Sequence, residues 1–213
     1  RCSPQVHGAT KDALSYTEKV IETEMNSSTN NPLIFPETGD FLLGGNFHGQ
    51  PIALCLDFLA IAVSELANIA ELRIERLVNP FLSGLPAFLV SEGGLNSGFM
   101  MVQVAAAALV SECKTLSHPA SVDSIPTSAG QEDHVSMSTW ASRKLAIVVD
   151  LVRQVLGMEY LAASQGLEFH RPLRTSEVLE RAVTVLRRDV PRLEQDRYLA
   201  PDIRRAAELV EDL

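Results

Sequence analysis

The sequence predicts an all-α protein built as a bundle of long helices. Apolar residues recur at helical spacings over most of the chain, and they make up 46% of its 213 residues. Residues 52–78 run without Gly or Pro, which is too long for a strand. Strand signals are confined to two short segments, so a sheet cannot be the main element of the fold.

Six helices are predicted in order along the chain. In the first, residues 13–25, Leu14, Ile21 and Met25 lie on one face. The second begins near Pro51. Proline suits the first turn of a helix, because the N–H group that it lacks would have no partner within the helix there. The remaining predicted helices cover residues 97–116, 131–164, 176–189 and 201–213. The strand signals, at residues 32–35 and 41–43, predict a short hairpin.

Composition excludes several classes of function. The net charge of −9 and the pI of about 5.0 argue against nucleic acid as a partner, because binding phosphates needs a basic surface. No membrane span is expected, because the most apolar run, residues 52–63, contains Asp57 and is shorter than the ~20 residues that a spanning helix needs.

Cysteine usage predicts a cytoplasmic protein. Cys2, Cys55 and Cys113 are odd in number and widely spaced, which fits reduced thiols better than a disulfide framework. The chain opens on Arg1 rather than Met, so we expect a piece of a longer protein whose upstream part shares its function.

Three polar, glycine-bearing loops each precede a predicted helix: residues 44–50, 93–98 and 128–134. The unpaired N–H groups at a helix start can hold an anion or a developing oxyanion. Each loop is also explained by a turn followed by an N-cap. Three such loops together favour a shared polar site.

Two candidate groups stay ambiguous on spacing alone. Glu132 and Asp133 are either charges at a helix N-terminus or a general base or a contact for a cationic ring. Asn31, between Asn30 and Pro32, is either part of a plain turn or an amide that binds a carboxylate.

Other catalytic motifs are absent from the sequence. It contains no phosphate-binding glycine motif and no nucleophile elbow. His118, Glu132, Asp133 and His134 have no spacing diagnostic for zinc, so no metal site is predicted.

Five strings of residues resemble the C-terminal half of the histidine and aromatic amino-acid ammonia-lyases. They occur in the family's order, and the resemblance covers essentially all of residues 1–213. The strings are Arg1-Cys2-Ser3-Pro4-Gln5, Asn30-Asn31-Pro32-Leu33, Gly44-Gly45-Asn46-Phe47-His48-Gly49, Leu95-Asn96-Ser97-Gly98 and Gln131-Glu132-Asp133-His134-Val135.

The resemblance implies a mostly helical homotetramer that eliminates ammonia from an amino acid. The family's electrophile is 4-methylideneimidazol-5-one, formed by cyclisation of Ala-Ser-Gly. This sequence contains no Ala-Ser-Gly, so the cofactor would belong to an upstream part of the enzyme that is a necessary partner.

Four positions match the family's functional residues. Arg1 resembles the arginine that pairs with the substrate carboxylate. Asn31 resembles the amide that helps to hold substrate or cofactor. Phe47 resembles the aromatic residue beside the electrophile, with catalytic and cofactor-binding roles. Glu132 resembles the catalytic acidic residue that faces the substrate side chain. Asn30 departs from the family, where Asp is frequent.

The resemblance favours L-histidine as substrate and urocanate as product, because Glu132 can accept a hydrogen bond from an imidazole. Two alternatives remain within the same chemistry: a tyrosine or phenylalanine ammonia-lyase, and a 2,3-aminomutase. An alternative of another class is an inactive helical assembly module, since the chain itself has no electrophile.

Overall fold

Seven α-helices and one β-hairpin form the part of the chain that this computed structural model describes, residues 1–212. The predicted all-α class is confirmed. The helices are α1 (Ser3–Met25), α2 (Gln50–Val78), α3 (Pro80–Ser83), α4 (Met100–Leu116), α5 (Ser138–Glu168), α6 (Glu177–Asp189) and α7 (Ala200–Leu209). Short 3₁₀ turns follow at Ala87–Leu89, Ser128–Gly130 and Val210–Asp212. The last predicted helix reaches residue 213, which lies outside the described residues.

Helix α1 begins ten residues earlier than its apolar pattern predicts. Pro4 occupies its first turn, and the segment up to Asp12 is helical although it is mostly polar. Thr10 helps to hold this polar segment as a helix, because its hydroxyl donates to the carbonyl of Ala62 in α2 at 3.0 Å. A single polar contact between two helices does not appear as apolar periodicity, so the sequence pattern does not predict the earlier start.

The predicted hairpin is confirmed. Strands β1 (Leu33–Phe35) and β2 (Asp40–Leu42) are antiparallel, with Leu33 opposite Leu42 and Phe35 opposite Asp40. The hairpin sits directly between the Asn30-Asn31 segment and the Gly44-Gly45 segment along the chain. It therefore brings these two segments side by side.

One compact unit consists of Arg1–Val63 and Thr115–Val148. Its core contains Cys55, Leu56, Ala120 and Ala141, against which Ile21 and other apolar residues pack. A buried ion pair between Asp57 of α2 and Lys144 of α5 lies in the same unit. This unit contains the candidate site described below.

The second unit consists of Ser64–Lys114 and the described residues from Val149 onward. Gln165 of α5 is buried there, and its side-chain amide bonds the backbone of Leu89 and Leu193. Helix α7 packs against α5 at Gly157, where an added Cβ would lie 2.6 Å from the backbone nitrogen of Ala207. These contacts hold the segments around Leu89 and Leu193, together with helix α7, against the long helix α5.

Helix α2 extends well beyond its most apolar run, residues 52–63, which is too short for a membrane span. Over an 18-residue window its mean hydropathy is 1.9, so length and composition alone would allow it to cross a membrane. A helix at the centre of a protein core has the same properties. Asp57 is buried on this helix and paired with Lys144, as expected of a helix that packs within protein.

Candidate active site

A cleft of about 650 Å³ lies in the unit formed by Arg1–Val63 and Thr115–Val148. Three separate segments of the chain form its walls. Its lining residues are Asn31, Phe47, His48, Gly49, Ser128, Gln131, Glu132, Asp133, His134, Val135 and Ser136. Two carboxylates, Glu132 and Asp133, and two imidazoles, His48 and His134, lie at the surface of the cleft.

The first wall joins Asn31 to the loop that carries Phe47. The side-chain oxygen of Asn31 accepts a hydrogen bond from the N–H of Gly44 at 3.1 Å. An added Cβ on Gly45 would lie 1.9 Å from the carbonyl oxygen of Asn30, so this close approach requires glycine. The N–H donors of the Asn31 side chain have no hydrogen bond to any residue within 1–212, so they can bind a ligand.

The opposite wall is a tight loop that carries Glu132. Thr127 and Glu132 exchange backbone hydrogen bonds of 3.0 and 3.3 Å, and the hydroxyl of Thr127 also donates to Oε2 of Glu132. Between them, Ser128 and Ala129 have φ angles of 53° and 58°, which non-glycine residues rarely adopt. Strain of this kind clusters at functional sites, where surrounding contacts hold it in place.

The interpretation of Glu132 and Asp133 as charges at a helix N-terminus is wrong. Helix α5 begins at Ser138, six residues after Glu132, rather than at residue 131. The physical reason is that the loop amides bond elsewhere: the N–H of Glu132 donates to Thr127, and that of Val135 donates to Oγ of Ser124. Glu132 is exposed at the surface of the cleft instead.

The structure brings three of the four predicted site residues together. Asn31, Phe47 and Glu132 line the one cleft, and the ring of Phe47 is 59% exposed there. Arg1 is exposed just before α1 and is not among the lining residues. Its predicted role at the substrate carboxylate stays a prediction.

The loop at residues 93–98 is used differently from the prediction. The N–H groups of Ser97 and Gly98, which precede α4, donate to the two carboxylate oxygens of Asp196 at 2.7 and 2.8 Å. Asp196 in turn donates its N–H to the side chain of Asn96 at 3.0 Å. These amides therefore hold an anion, as expected, but the anion belongs to the chain itself. In the described structure, Ser97 and Gly98 therefore do not offer these N–H groups to a ligand.

Sequence reasoning missed two residues of the cleft region. Thr127 orients Glu132, and His48 contacts the backbone of His134 at 2.8 Å. His48 lies inside a string that carried the family resemblance, but no spacing rule singles it out. Within residues 1–212 no group of three or more His, Cys, Asp or Glu side chains is arranged to hold a metal ion.

A family model described as aromatic amino acid lyase matches residues 1–188. The chain belongs to this family. The histidine ammonia-lyase of Alkaliphilus metalliredigens is 57% identical over 210 residues, which are 99% of this chain and 41% of that protein.

Two solved structures share this fold. A crystal structure of histidine ammonia-lyase from Trypanosoma cruzi matches with a TM-score of 0.95 and 50% identity, over 100% of this chain and 42% of that one. Tyrosine aminomutase from Streptomyces globisporus matches with a TM-score of 0.94 and 40% identity, over 100% and 40% of the two chains. The chain spans about two fifths of the length of these relatives.

Proposed function

We propose that this chain supplies part of the substrate pocket of a histidine ammonia-lyase, which converts L-histidine to urocanate and ammonia. One observation carries the proposal: Asn31, Phe47 and Glu132, which match functional positions of the family, line a single cleft although they come from separate segments. The identity of 57% to a protein named histidine ammonia-lyase supports histidine as the substrate.

The proposed enzyme needs 4-methylideneimidazol-5-one, formed from an Ala-Ser-Gly that would lie in a part of the enzyme outside this chain. The groups present in the cleft fit such a ring. Asn31 has N–H donors left for a carbonyl oxygen, and the exposed face of Phe47 can pack beside a flat group. When bound, this cofactor supplies the electrophile that takes up electron density as ammonia leaves.

Glu132 orients the substrate ring in this proposal. Its Oε2 atom accepts a hydrogen bond from Thr127, whereas Oε1 has no hydrogen bond to any residue in the described part of the chain. Oε1 is therefore available to accept a hydrogen bond from an imidazole N–H. A hydrogen bond to a charged acceptor is roughly twice as strong as one between neutral groups. The imidazole of histidine has an N–H that can form this bond and the phenyl ring of phenylalanine has none, so the carboxylate favours histidine.

Arg1 binds the carboxylate of the substrate in this proposal. A planar guanidinium matches two carboxylate oxygens with two parallel hydrogen bonds, which an ammonium cannot do. Arg1 is exposed, so its side chain can turn toward a ligand.

We also infer that the chain works in an assembly, with the upstream part of the enzyme and as a homotetramer. Large apolar side chains that are exposed in the described structure support this, including Leu43 at 78%, Phe81 at 96% and Leu95 at 81%. Large apolar side chains that stay exposed in a folded chain are candidates for contact with a partner.

The function is tested by product analysis of the enzyme purified together with its cofactor-bearing part. We expect urocanate and ammonia from L-histidine, and much slower conversion of tyrosine and phenylalanine. The similarity to a tyrosine aminomutase favours 2,3-aminomutation as the second candidate. Recovery of a β-amino acid alone would overturn the proposal. Mass spectrometry that finds no cyclised Ala-Ser-Gly would instead indicate an inactive helical module.

Two substitutions test the residue assignments in the same assay. Glu132→Gln should lower kcat/KM for histidine by about tenfold to a hundredfold, because the charged acceptor is lost. The matched control is Asp133→Asn, which removes the adjacent carboxylate and should have a smaller effect. Arg1→Lys should raise KM strongly, and an unchanged KM would argue against the proposed carboxylate contact.

A further inference from the structure

Both ring nitrogens of His48 are bonded to the backbone, on opposite sides of the imidazole. Nε2 lies 2.8 Å from the carbonyl oxygen of His134, and Nδ1 accepts a hydrogen bond from the N–H of Gln50 at 3.2 Å. A carbonyl can only accept and a backbone N–H can only donate. His48 is therefore neutral, with its proton on Nε2.

These two bonds join the walls of the cleft. His48 directly follows Phe47, and Gln50 is the first residue of α2. His134 lies two residues after Glu132, on the opposite wall. One half-buried side chain thus connects the start of a long helix and the Phe47 loop to the segment that carries Glu132.

Further contacts bring the same two segments together. The rings of His48 and His134 are 5.3 Å apart between centroids and inclined by 33°, with Nδ1 of His134 lying 3.3 Å from Nε2 of His48. An added Cβ on Gly49 would lie 2.6 Å from Oγ of Ser138 and 2.9 Å from Oγ of Ser136. The separation of the walls is therefore set at His48 and Gly49.

We propose that His48 is a positioning residue of the lyase site: its neutral imidazole bridges the cleft and sets the position of Glu132 relative to Phe47. This inference rests on the proposed function for its effect on catalysis. Nδ1 by itself would only cap helix α2, through the bond from the N–H of Gln50. The bond from Nε2 to His134 is not needed for capping, so the two roles can be separated.

The test compares two substitutions that each keep one of the bonds. The amide of glutamine reaches as far as Nε2, so His48→Gln can still donate to the carbonyl of His134. The shorter His48→Asn can still cap α2 through an oxygen in the place of Nδ1 but cannot reach His134. His7→Asn, at an exposed position of α1, is the control for the same chemical change elsewhere.

We expect His48→Gln to keep kcat/KM for histidine within about threefold and His48→Asn to lower it by about tenfold or more, mainly in kcat. If residue 48 only caps the helix, the order of the two variants reverses. The reverse order, or equal activity of both variants, would overturn the proposal.

Hydrogen exchange of the amides at residues 132–136 gives a readout that does not depend on activity. Exchange in this segment should be faster in His48→Asn than in His48→Gln or His7→Asn. If the unsubstituted enzyme does not convert histidine, the proposed function fails, and the order of exchange rates still decides whether the bridge exists. Equal exchange in both His48 variants would contradict the bridge itself.

Discussion

Asp57 of α2 and Lys144 of α5 form an ion pair with an N–O distance of 2.9 Å, and each residue is at most 4% exposed. The N–H of Ser121 donates to the same carboxylate at 2.7 Å, and the ammonium of Lys144 also donates to the carbonyl of His118. The pair thus connects two helices to the segment between α4 and α5. That segment leads directly into the loop that carries Glu132.

Removing one partner of this pair should destabilise the protein strongly. Asp57→Asn leaves the ammonium of Lys144 buried without a counter-charge, so the free energy of unfolding should fall by about 3–5 kcal/mol. The double substitution Asp57→Leu with Lys144→Met should recover most of the loss, because no buried charge remains. Urea unfolding measures both. As a control, Asp150→Asn removes an exposed partner of Arg153 and should change little.

The same pair predicts loss of stability in acid. Burial alone would raise the pKa of Asp57, but the hydrogen bonds from Lys144 and Ser121 outweigh it and lower the pKa below its ordinary 3.8. A carboxyl group with a lowered pKa in the folded state stabilises the protein fully above its unfolded pKa, and the contribution is lost as the pH falls through the folded value. Urea midpoints measured from pH 6 downward, with Asp57→Asn as the reference, should converge as the pH drops through this range. A constant difference would contradict the lowered pKa.

Gly157 of α5 should not tolerate a side chain. A Cβ there would lie 2.6 Å from the nitrogen and 2.8 Å from Cα of Ala207, and backbone atoms cannot turn away as a flexible side chain can. Gly157→Ala should therefore destabilise the protein by about 1–3 kcal/mol despite its better helix propensity. Gly8→Ala is the matched control, since nothing lies within 4 Å of the added Cβ in α1. That variant should gain about 0.5–1 kcal/mol in the same thermal or urea unfolding experiment.

Asp196 holds the start of helix α4, so its replacement should loosen that start. Asp196→Ala removes the acceptor for the N–H groups of Ser97 and Gly98 and should lower the free energy of unfolding by about 1.5–3 kcal/mol. Hydrogen exchange of residues 97–102 should rise in the same variant. Asp12→Asn, at an exposed position of α1, is a control for loss of a carboxylate. Unchanged exchange at residues 97–102 would show that the carboxylate does not hold these amides.

The sequence predicted the long helices well because apolar periodicity is a local property. It misplaced the start of α5 because the amides of Glu132 and Val135 bond to Thr127 and Ser124, and these bonds depend on how the whole loop closes. Asn31, Phe47 and Glu132 were found through the resemblance of whole strings, since spacing alone left their roles open. His48 was missed because its partner His134 lies 86 positions away in the chain.

Thr127 should affect catalysis through Glu132. Its hydroxyl is the group that fixes Oε2 of Glu132, so Thr127→Val leaves the carboxylate free to turn away from the substrate ring. We expect kcat/KM for histidine to fall about threefold to tenfold, in line with the loss of one hydrogen bond to a charged group.

Thr127→Ser is the matched control, because it keeps the hydroxyl and should remain close to the unsubstituted enzyme. The backbone hydrogen bonds between Thr127 and Glu132 survive in both variants, so equal urea midpoints would show that the loop itself is intact. If Thr127→Val and Thr127→Ser had the same kcat/KM, the hydroxyl would not orient Glu132. The preference for histidine would then depend on the carboxylate alone.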